Sequence, residues 1–243
     1  MPMKAIVQAI RKHRTLVFFD LEATQFSHEM TEIAAIKVIV KEDGSIKKVF
    51  KPFHYYVIPK NHVGSHVAAM TGLTDEFLLR NGVPFRVVQK GLIKYLGKEY
   101  KEALFVCYGN QDGEIFENSA ANNMDASMDE ALFVKHHCFD FLRFLSRYVT
   151  GEDGNPINLG RAMEVFGFEM KGKAHTATTD AYAVLSLYEA FFRKKEILAR
   201  EYGKTISRGK GVPEPLRLVL KRLERGEAVT PDDFTNLIME ALQ

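Results

Sequence analysis

The stretch Leu16 to Thr24, L-V-F-F-D-L-E-A-T, constrains this chain more than any other. Four consecutive apolar residues, two of them Phe, run into Asp20 and Glu22, the pattern of a buried strand that ends in two carboxylates. Successive side chains of a strand alternate faces, so Asp20 and Glu22 project together from one face. Burying two like charges side by side is costly unless one takes up a proton or a cation lies between them. Ligands that are all oxygen suit a hard divalent ion such as Mg²⁺ or Mn²⁺. A bare D-x-E also occurs at solvated strand ends, so the rest of the chain has to decide between the two.

At 243 residues the chain is long enough for one large domain, or one domain with an appendage, around a sizeable core. Its 46% hydrophobic and 26% charged content is ordinary for a globular protein, and a net charge of +2 advertises no nucleic acid at the level of the whole chain. Two cysteines, Cys107 and Cys138, are too few for a disulfide framework or a zinc site, which points to a reducing compartment. The N-terminal basic residues follow the first short apolar run, the reverse of a signal peptide, and no apolar segment is long enough to span a bilayer. A soluble, cytoplasmic protein with no membrane partner is expected.

After the first strand, Glu32 to Val40 is apolar and β-branched, and Ile46 to Ile58 offers another extended run, with Asp43-Gly44 as a hairpin signal between them. These predict an antiparallel set built on a central first strand. Thr74 is placed to cap a helix with Asp75 and Glu76 in its first turn, and Pro84 to open a helix carrying Val87, Val88, Leu92 and Ile93. Ala103 to Tyr108 is short and continuously apolar, a buried strand that ends at Gly109, with Asp112 three residues on. The polar run 118–131 predicts the tail of a helix and then a loop. For Leu132 to Tyr148, one helix throughout and a short strand around Lys135 to Phe139 followed by a helix fit equally. A short helix over Asn158 to Phe166 is followed by K-G-K-A-H-T-A-T-T-D and a helix with Ala181, Val184, Leu185, Tyr188 and Phe192 near one face. Strands interleaved with helices predict an α/β layer architecture.

The C-terminal region differs in character. Between Arg193 and Arg225 there are eleven Lys and Arg against four Glu. Leu216, Val219, Leu220 and Leu223 form one apolar helical stripe, and Phe234, Leu237, Ile238, Ala241 and Leu242 another behind a Thr230-Pro231-Asp232-Asp233 cap. A hairpin docked on the core with a solvated basic face and a nucleic-acid-contacting appendage both fit.

Asp20, Glu22, Asp112 and Asp180 each fall at a predicted strand end or helix start, the edge of an α/β sheet where active sites form. A lone loop histidine is ordinarily solvated; what singles out His175 is its offset of five residues from Asp180. The sequences F-D-L-E-A-T, Y-G-N-Q-D and H-T-A-T-T-D-A, in that order, resemble the three motifs of the DEDDh family, proofreading-type 3′-to-5′ exonucleases with a ribonuclease-H-like fold. The resemblance covers roughly residues 15 to 195, and M-T-G-L-T-D-E-F-L and T-E-I-A-A-I-K-V are similar to further segments of these enzymes. The Ala23-Thr24 pair and the aromatic-Gly-Asn-x-Asp motif look more like the subgroup that trims RNA 3′ ends. Gln25 and Phe26 stand where proofreaders carry Gly and an aliphatic residue, and Tyr108 where the RNA-trimming subgroup has Trp.

The resemblance implies a mixed five-stranded sheet flanked by helices, with a fifth strand near Cys138, an exonuclease domain over 1–198 and a basic helical extension over 199–243. It implies that Asp20, Glu22, Asp112 and Asp180 hold two Mg²⁺ or Mn²⁺ ions about 4 Å apart and that His175 is the general base. A pKa near 6.5 suits that base to neutral pH. The expected substrate is a single-stranded RNA or DNA 3′ end, released as nucleoside monophosphates, with Ala23, Thr24, Phe26 and Tyr108 as candidate terminal-nucleotide contacts. With no Trp in the chain, stacking falls to Phe26 first and Tyr108 second. A phosphodiesterase for very short oligonucleotides, favoured by the lack of a long basic groove, and a non-catalytic nucleic-acid-binding protein on the same fold are the alternatives. RNA versus DNA and the oligomeric state, a homodimer included, are left open.

Overall fold

The computed structural model describes residues 2–10, 13–169, 176–209 and 211–242. Strand β1 (Thr15–Ala23) is apolar on both faces and is accordingly covered on both, with Leu16 to Phe19 fully buried. It pairs antiparallel with β2 (Met30–Val40) on one side and parallel with β6 (Leu104–Cys107) on the other. Beyond β6 lies β7 (Cys138–Asp140), parallel to it; beyond β2 lie β4 (Phe53–Ile58), antiparallel, and the two-residue β5 (Val83–Pro84). The order is β5-β4-β2-β1-β6-β7, and β3 (Ile46–Val49) pairs with the far end of β2.

The five expected strands are present and two short pieces make seven. The Ile46 to Ile58 run is divided into β3 and β4, with Pro52, which has no N–H to give a ladder, lying in the break. Between Leu132 and Tyr148 neither alternative holds throughout: Leu132 to His136 completes a helix that begins at Met128, and the strand expected around Lys135 to Phe139 is shorter and later, at Cys138–Asp140, before a helix. The rest of the segment forms β7 and then α7 (Phe141–Leu145), with Phe105 opposite Cys138 and Cys107 opposite Asp140 in the ladder. The polar run 118–131 corrects the sequence expectation. Helix α5 (Gln111–Ala121) ends within it, but α6 (Met128–His136) begins before it closes, because Ser127 caps the Glu130 N–H and Asp129 and Glu130 favour a helix N-terminus.

The two faces of the sheet carry separate cores. Leu16 and Phe18, with Ala34, Ile36, Leu104 and Val106, face α1 (Pro2–Ile10), α7, α8 (Leu159–Val165) and α9 (Ala177–Arg193). Val17, Phe19 and Leu21, with Ile33, Ala35 and Phe105, face α4 (Phe85–Leu96), α5 and α6. Helices α2 (Ser65–Thr71) and α3 (Asp75–Asn81) close a small cluster of Val63, Leu73 and Leu78, and Thr74 caps α3 through the Phe77 N–H as expected. The C-terminal helices α10 (Lys195–Ser207), α11 (Glu214–Glu224) and α12 (Pro231–Ala241) stack one on the next, starting from α9. No residue of α11 or α12 is buried, so the hairpin does not dock on the main core. Among the described residues no helix is long and apolar enough to cross a membrane.

Phe18 joins the central strand to α9 through an edge-on contact with Tyr188, ring centroids 5.2 Å apart. Phe18→Ala is expected to cost about 3–5 kcal/mol in urea unfolding, a large fraction of a typical domain's stability. A loss below about 1 kcal/mol would show that α9 is held by other contacts.

Candidate active site

Asp20 and Glu22 continue the Leu16-Phe18 side of β1, so the alternation that buries two apolar residues under α9 places two carboxylates beyond them on that face. Opposite them, β2 makes a bulge. Glu22 pairs with Glu32 and Ala23 with Met30, leaving Thr31 as the extra residue and ending the regular ladder just past Glu22. Helix α9 passes over this face and carries Asp180 in its first turn, capped by Thr176. Asp20, Glu22 and Asp180 each offer a carboxylate oxygen, and these atoms lie within 4.8 Å of one another.

Asp112 arrives from the neighbouring strand. Chain leaving β6 turns at Gly109, whose φ of +122° is one that L side chains rarely adopt. Helix α5 then begins, and Asp112 in its first turn accepts a hydrogen bond from the Leu21 N–H at 3.0 Å through Oδ1. That bond ties the second motif to the backbone between Asp20 and Glu22. Asp112 lies outside the 4.8 Å trio, beside Asp20 in the wall of a cavity of about 370 Å³ also lined by Tyr108, Asn110 and Leu142. The four carboxylates therefore gather at one sheet edge. His175 lies outside the described residues.

The electrostatics of this edge are those of negative charge packed together. Burial, and then Asp112, Asp180, Glu22 and Glu32, push the Asp20 carboxyl well above its ordinary range. Glu22 is pushed up to about 7 by burial and by Asp180, Glu32 and Asp112. Asp112 is also raised to about 7, chiefly by burial, against the lowering effect of the Leu21 N–H. Among the described residues, the charges acting on Asp20 and Glu22 are all carboxylates. A set of hard oxygen donors in which Asp20, Glu22 and Asp112 are all raised by burial and by repulsion from neighbouring carboxylates fits a divalent ion, which would relieve that repulsion. The helix N-termini beneath Asp112 and Asp180 offset part of the repulsion.

Three features here escape a reading of the sequence motifs. Glu32, only 3% exposed, faces Glu22 across the strand pair and makes a 2.7 Å contact with His54 Nε2. Asp140 at the end of β7 adds repulsion at Asp112. Glu29, 1% exposed, accepts from Ser27 Oγ, the Lys60 and Asn61 N–H groups and Asn61 Nδ2, so the loop after β1 closes around it. None of the three lies in a catalytic motif; the signal for Glu32 was its position in the second strand, which becomes informative only once the pairing register is known.

The candidate nucleotide contacts divide by environment. Thr24 is buried, with its hydroxyl accepting from the Glu29 N–H and bonded to Ser27 Oγ, and Ala23 is half-buried against the second core. Phe26 is 79% exposed at the tip of the same loop. Gln25 fixes that loop to α2: its N–H donates to the Val63 carbonyl, its Oε1 accepts from the His66 N–H, and it leaves no room for a side chain at Gly64. Tyr108 donates its hydroxyl to the Ile157 carbonyl at 2.9 Å and presents its ring to the cavity wall.

Raised carboxyls bind protons more tightly in the folded than in the unfolded chain. Their contribution is thus fully present below the unfolded range near 4 and is lost as pH rises through about 7. Without metal, Asp20→Asn is expected to raise the melting temperature at pH 8 by several degrees and to change it little at pH 4. Mg²⁺ or Mn²⁺ should stabilise the wild type more than the variant. A variant that melts lower at pH 8 in the absence of metal would refute this account of the site.

Comparison with known proteins agrees with this geometry. The family model described as exonuclease (RNase T) matches residues 17–188. A search of curated proteins finds no match. Among solved structures, a 3′-exonuclease described in 3′-end-specific recognition of a histone mRNA stem-loop superposes with a TM-score of 0.59 at 16% identity, over 75% of this chain and 83% of the other. The nuclease domain of 3′hExo, a DEDDh family member bound to rAMP, gives 0.57 at 17% identity, over 76% and 94%. Escherichia coli exonuclease I in complex with a dT13 oligonucleotide gives 0.57 at 17%, but this chain covers only 42% of its length. At such identities the structural likeness shows a shared fold, and the family model runs from within β1 to Tyr188 in α9, so it includes the segments that carry Asp20, Glu22, Asp112 and Asp180. The chain belongs to the exonuclease family, on the ribonuclease-H-like fold of the DEDDh 3′-exonucleases.

Proposed function

We propose that the protein is a metal-dependent 3′-to-5′ exonuclease that removes nucleoside monophosphates one at a time from the 3′ ends of single-stranded RNA or DNA. The observation that carries this reading is the trio of Asp20, Glu22 and Asp180 oxygens within 4.8 Å of one another, beside Asp112, in an exonuclease-family domain. Asp20, Glu22, Asp112 and Asp180 would hold two Mg²⁺ or Mn²⁺ ions. When bound, such ions stabilise the attacking and leaving oxygens of an in-line displacement at phosphorus.

The protein's own groups do the rest. His175, placed before α9 by sequence, takes the proton of the attacking water. Exposed Phe26 offers a face for a terminal base. Thr24 acts at one remove, since its hydroxyl is spent on the loop that carries Phe26. Ala23 and Tyr108 shape the wall against the last sugar and phosphate. The chain divides near residue 198 into the nuclease and a helical extension that carries none of the site residues.

End-labelled single-stranded RNA and DNA of matched sequence, incubated with Mg²⁺ or Mn²⁺, should show at least one of the two shortened from the 3′ end to monophosphates, and the ratio of rates assigns the substrate. Internal cuts without end trimming would reject the reading, and a rate that vanishes beyond a few nucleotides would favour a phosphodiesterase of very short oligonucleotides. His175→Ala should lower kcat by about two to four orders of magnitude and remove the acid limb of the pH profile that the base contributes. Near-full kcat with the same limb would reassign the base.

Phe26→Ala should raise KM for oligonucleotides while sparing kcat, by an amount in keeping with stacking worth about 1–3 kcal/mol per base. An unchanged KM with both RNA and DNA would remove Phe26 from the substrate path.

A further inference from the structure

We infer that the α11–α12 hairpin is a self-association surface whose occupant is the same hairpin of a second copy of this chain. Leu216, Leu223, Phe234, Ile238 and Met239 on these two eleven-residue helices are all exposed, as is Leu242 at the C-cap of α12, a concentration of exposed bulky apolar side chains in one short segment. Leu216, half-buried Leu220 and Leu223 recur at i, i+4 and i+7 on α11, and Phe234 and Ile238 at i and i+4 on α12, continued by Leu242 at its C-cap, each a single helical stripe. Stripes of this kind left open to water mark a surface meant to be covered.

The hairpin is a built platform. Arg222 joins the helices by pairing with Asp233 at 3.2 Å and with Glu227 in the turn at 3.2 Å. Thr230 and Asp233 form a reciprocal capping box at the start of α12. Ser207 Oγ at the end of α10 donates to Glu224 on α11 at 2.7 Å, and Arg217 donates to the Gly209 and Val212 carbonyls of the connecting loop. A surface held in shape before binding loses little freedom when it is covered.

Charge identifies the occupant. Helix α11 is basic, with Arg217, Lys221 and Arg222 and then Arg225 against Glu214 and Glu224, whereas α12 carries Asp232, Asp233 and Glu240 and no Lys or Arg. Lys221, Asp232 and Glu240 enter no ion pair among the described residues. A twofold axis that sets α11 of each copy against α12 of the other closes both apolar stripes and places basic against acidic helix twice, as an isologous contact requires. The product is a four-helix bundle at the C-terminal ends of two nuclease domains. Nucleic acid answers neither the aliphatic stripe nor the acidity of α12.

Sedimentation of the full-length protein is expected to show a monomer–dimer equilibrium with Kd of about 1 µM or tighter. Leu223→Glu and Ile238→Glu, combined, should weaken it by at least about a hundredfold, while far-UV circular dichroism and kcat on a short oligonucleotide are unchanged. Charge exchange gives a second arm independent of the apolar stripe. Lys221→Glu and Glu240→Lys should each weaken self-association by roughly tenfold, and mixing the two single variants should restore a heterodimer. A wild type that stays monomeric, or a dimer that survives both the apolar and the charge variants, overturns the proposal. Loss of oligonucleotide affinity in the Leu223/Ile238 variant, with a monomeric wild type, would hand the surface to nucleic acid instead.

Discussion

The repulsion among carboxylates at the end of β1 is the constraint to which the rest of the structure answers. Asp20, Glu22 and Asp180 are drawn together although the folded chain, by itself, gains nothing from their contact. The arrangement holds because β1 is anchored well before the acids begin, with Leu16 to Phe19 fully buried between two helical layers. A central strand paired on both sides cannot slide to relieve the charge without exposing that core. Stability is thus supplied by one half of the strand and expended at the other, the usual relation between a scaffold and a site built for a cation it does not itself provide.

What surrounds the acids limits how far the repulsion can spread. The Leu21 N–H holds one oxygen of Asp112, leaving the other for a ligand. The contact of Glu32 with His54 on the neighbouring strand β4 gives the buried acid opposite Glu22 a partner of its own. Glu29 lies farther along the same loop and is charge-satisfied by four donors, so it orders Thr24 and Phe26 without joining the acidic cluster. Glu22, Glu29 and Glu32, within eleven residues, thus do three different things, and their partners distinguish them.

That difference explains what was legible in the sequence. Strand parity put Asp20 and Glu22 on one face, a local rule that holds in the structure, and Asp180, expected at a strand end or helix start, lies in the first turn of α9. The role of Glu32 depends on which residue of β2 sits opposite Glu22, which a bulge at Thr31 shifts and no local pattern announces. Similarly, α1 and α10 carry no motif and went unrecognised, although Ile6 and Ile10 are fully buried against the sheet. Periodicity could not separate helix from strand between Leu132 and Tyr148 because the decision is made by the open edge of β6, which accepts β7 from a distant part of the chain. The hairpin α11–α12 was read correctly as two amphipathic helices, yet amphipathicity alone cannot say whether an apolar stripe meets the chain's own core.

The alanines of the third motif have a physical role beside its acid. Ala177 and Ala181, on the same side of α9 as Asp180, are fully buried against the face of the sheet that bears Asp20. Small side chains there let the helix axis approach β1 closely, and an aspartate has only one methylene with which to cross the remaining gap. A bulkier residue at either position would lift the helix by more than that short side chain can recover, because packed interiors transmit volume changes to the backbone. Farther along α9 the constraint relaxes and large residues return: Tyr188 packs on Phe18 and donates its hydroxyl to the Gly44 carbonyl at 2.6 Å. The helix is thus tapered, slim over the charges and broad over the core, and its single course sets both the depth of the hydrophobic layer and the distance at which Asp180 meets the pair on β1.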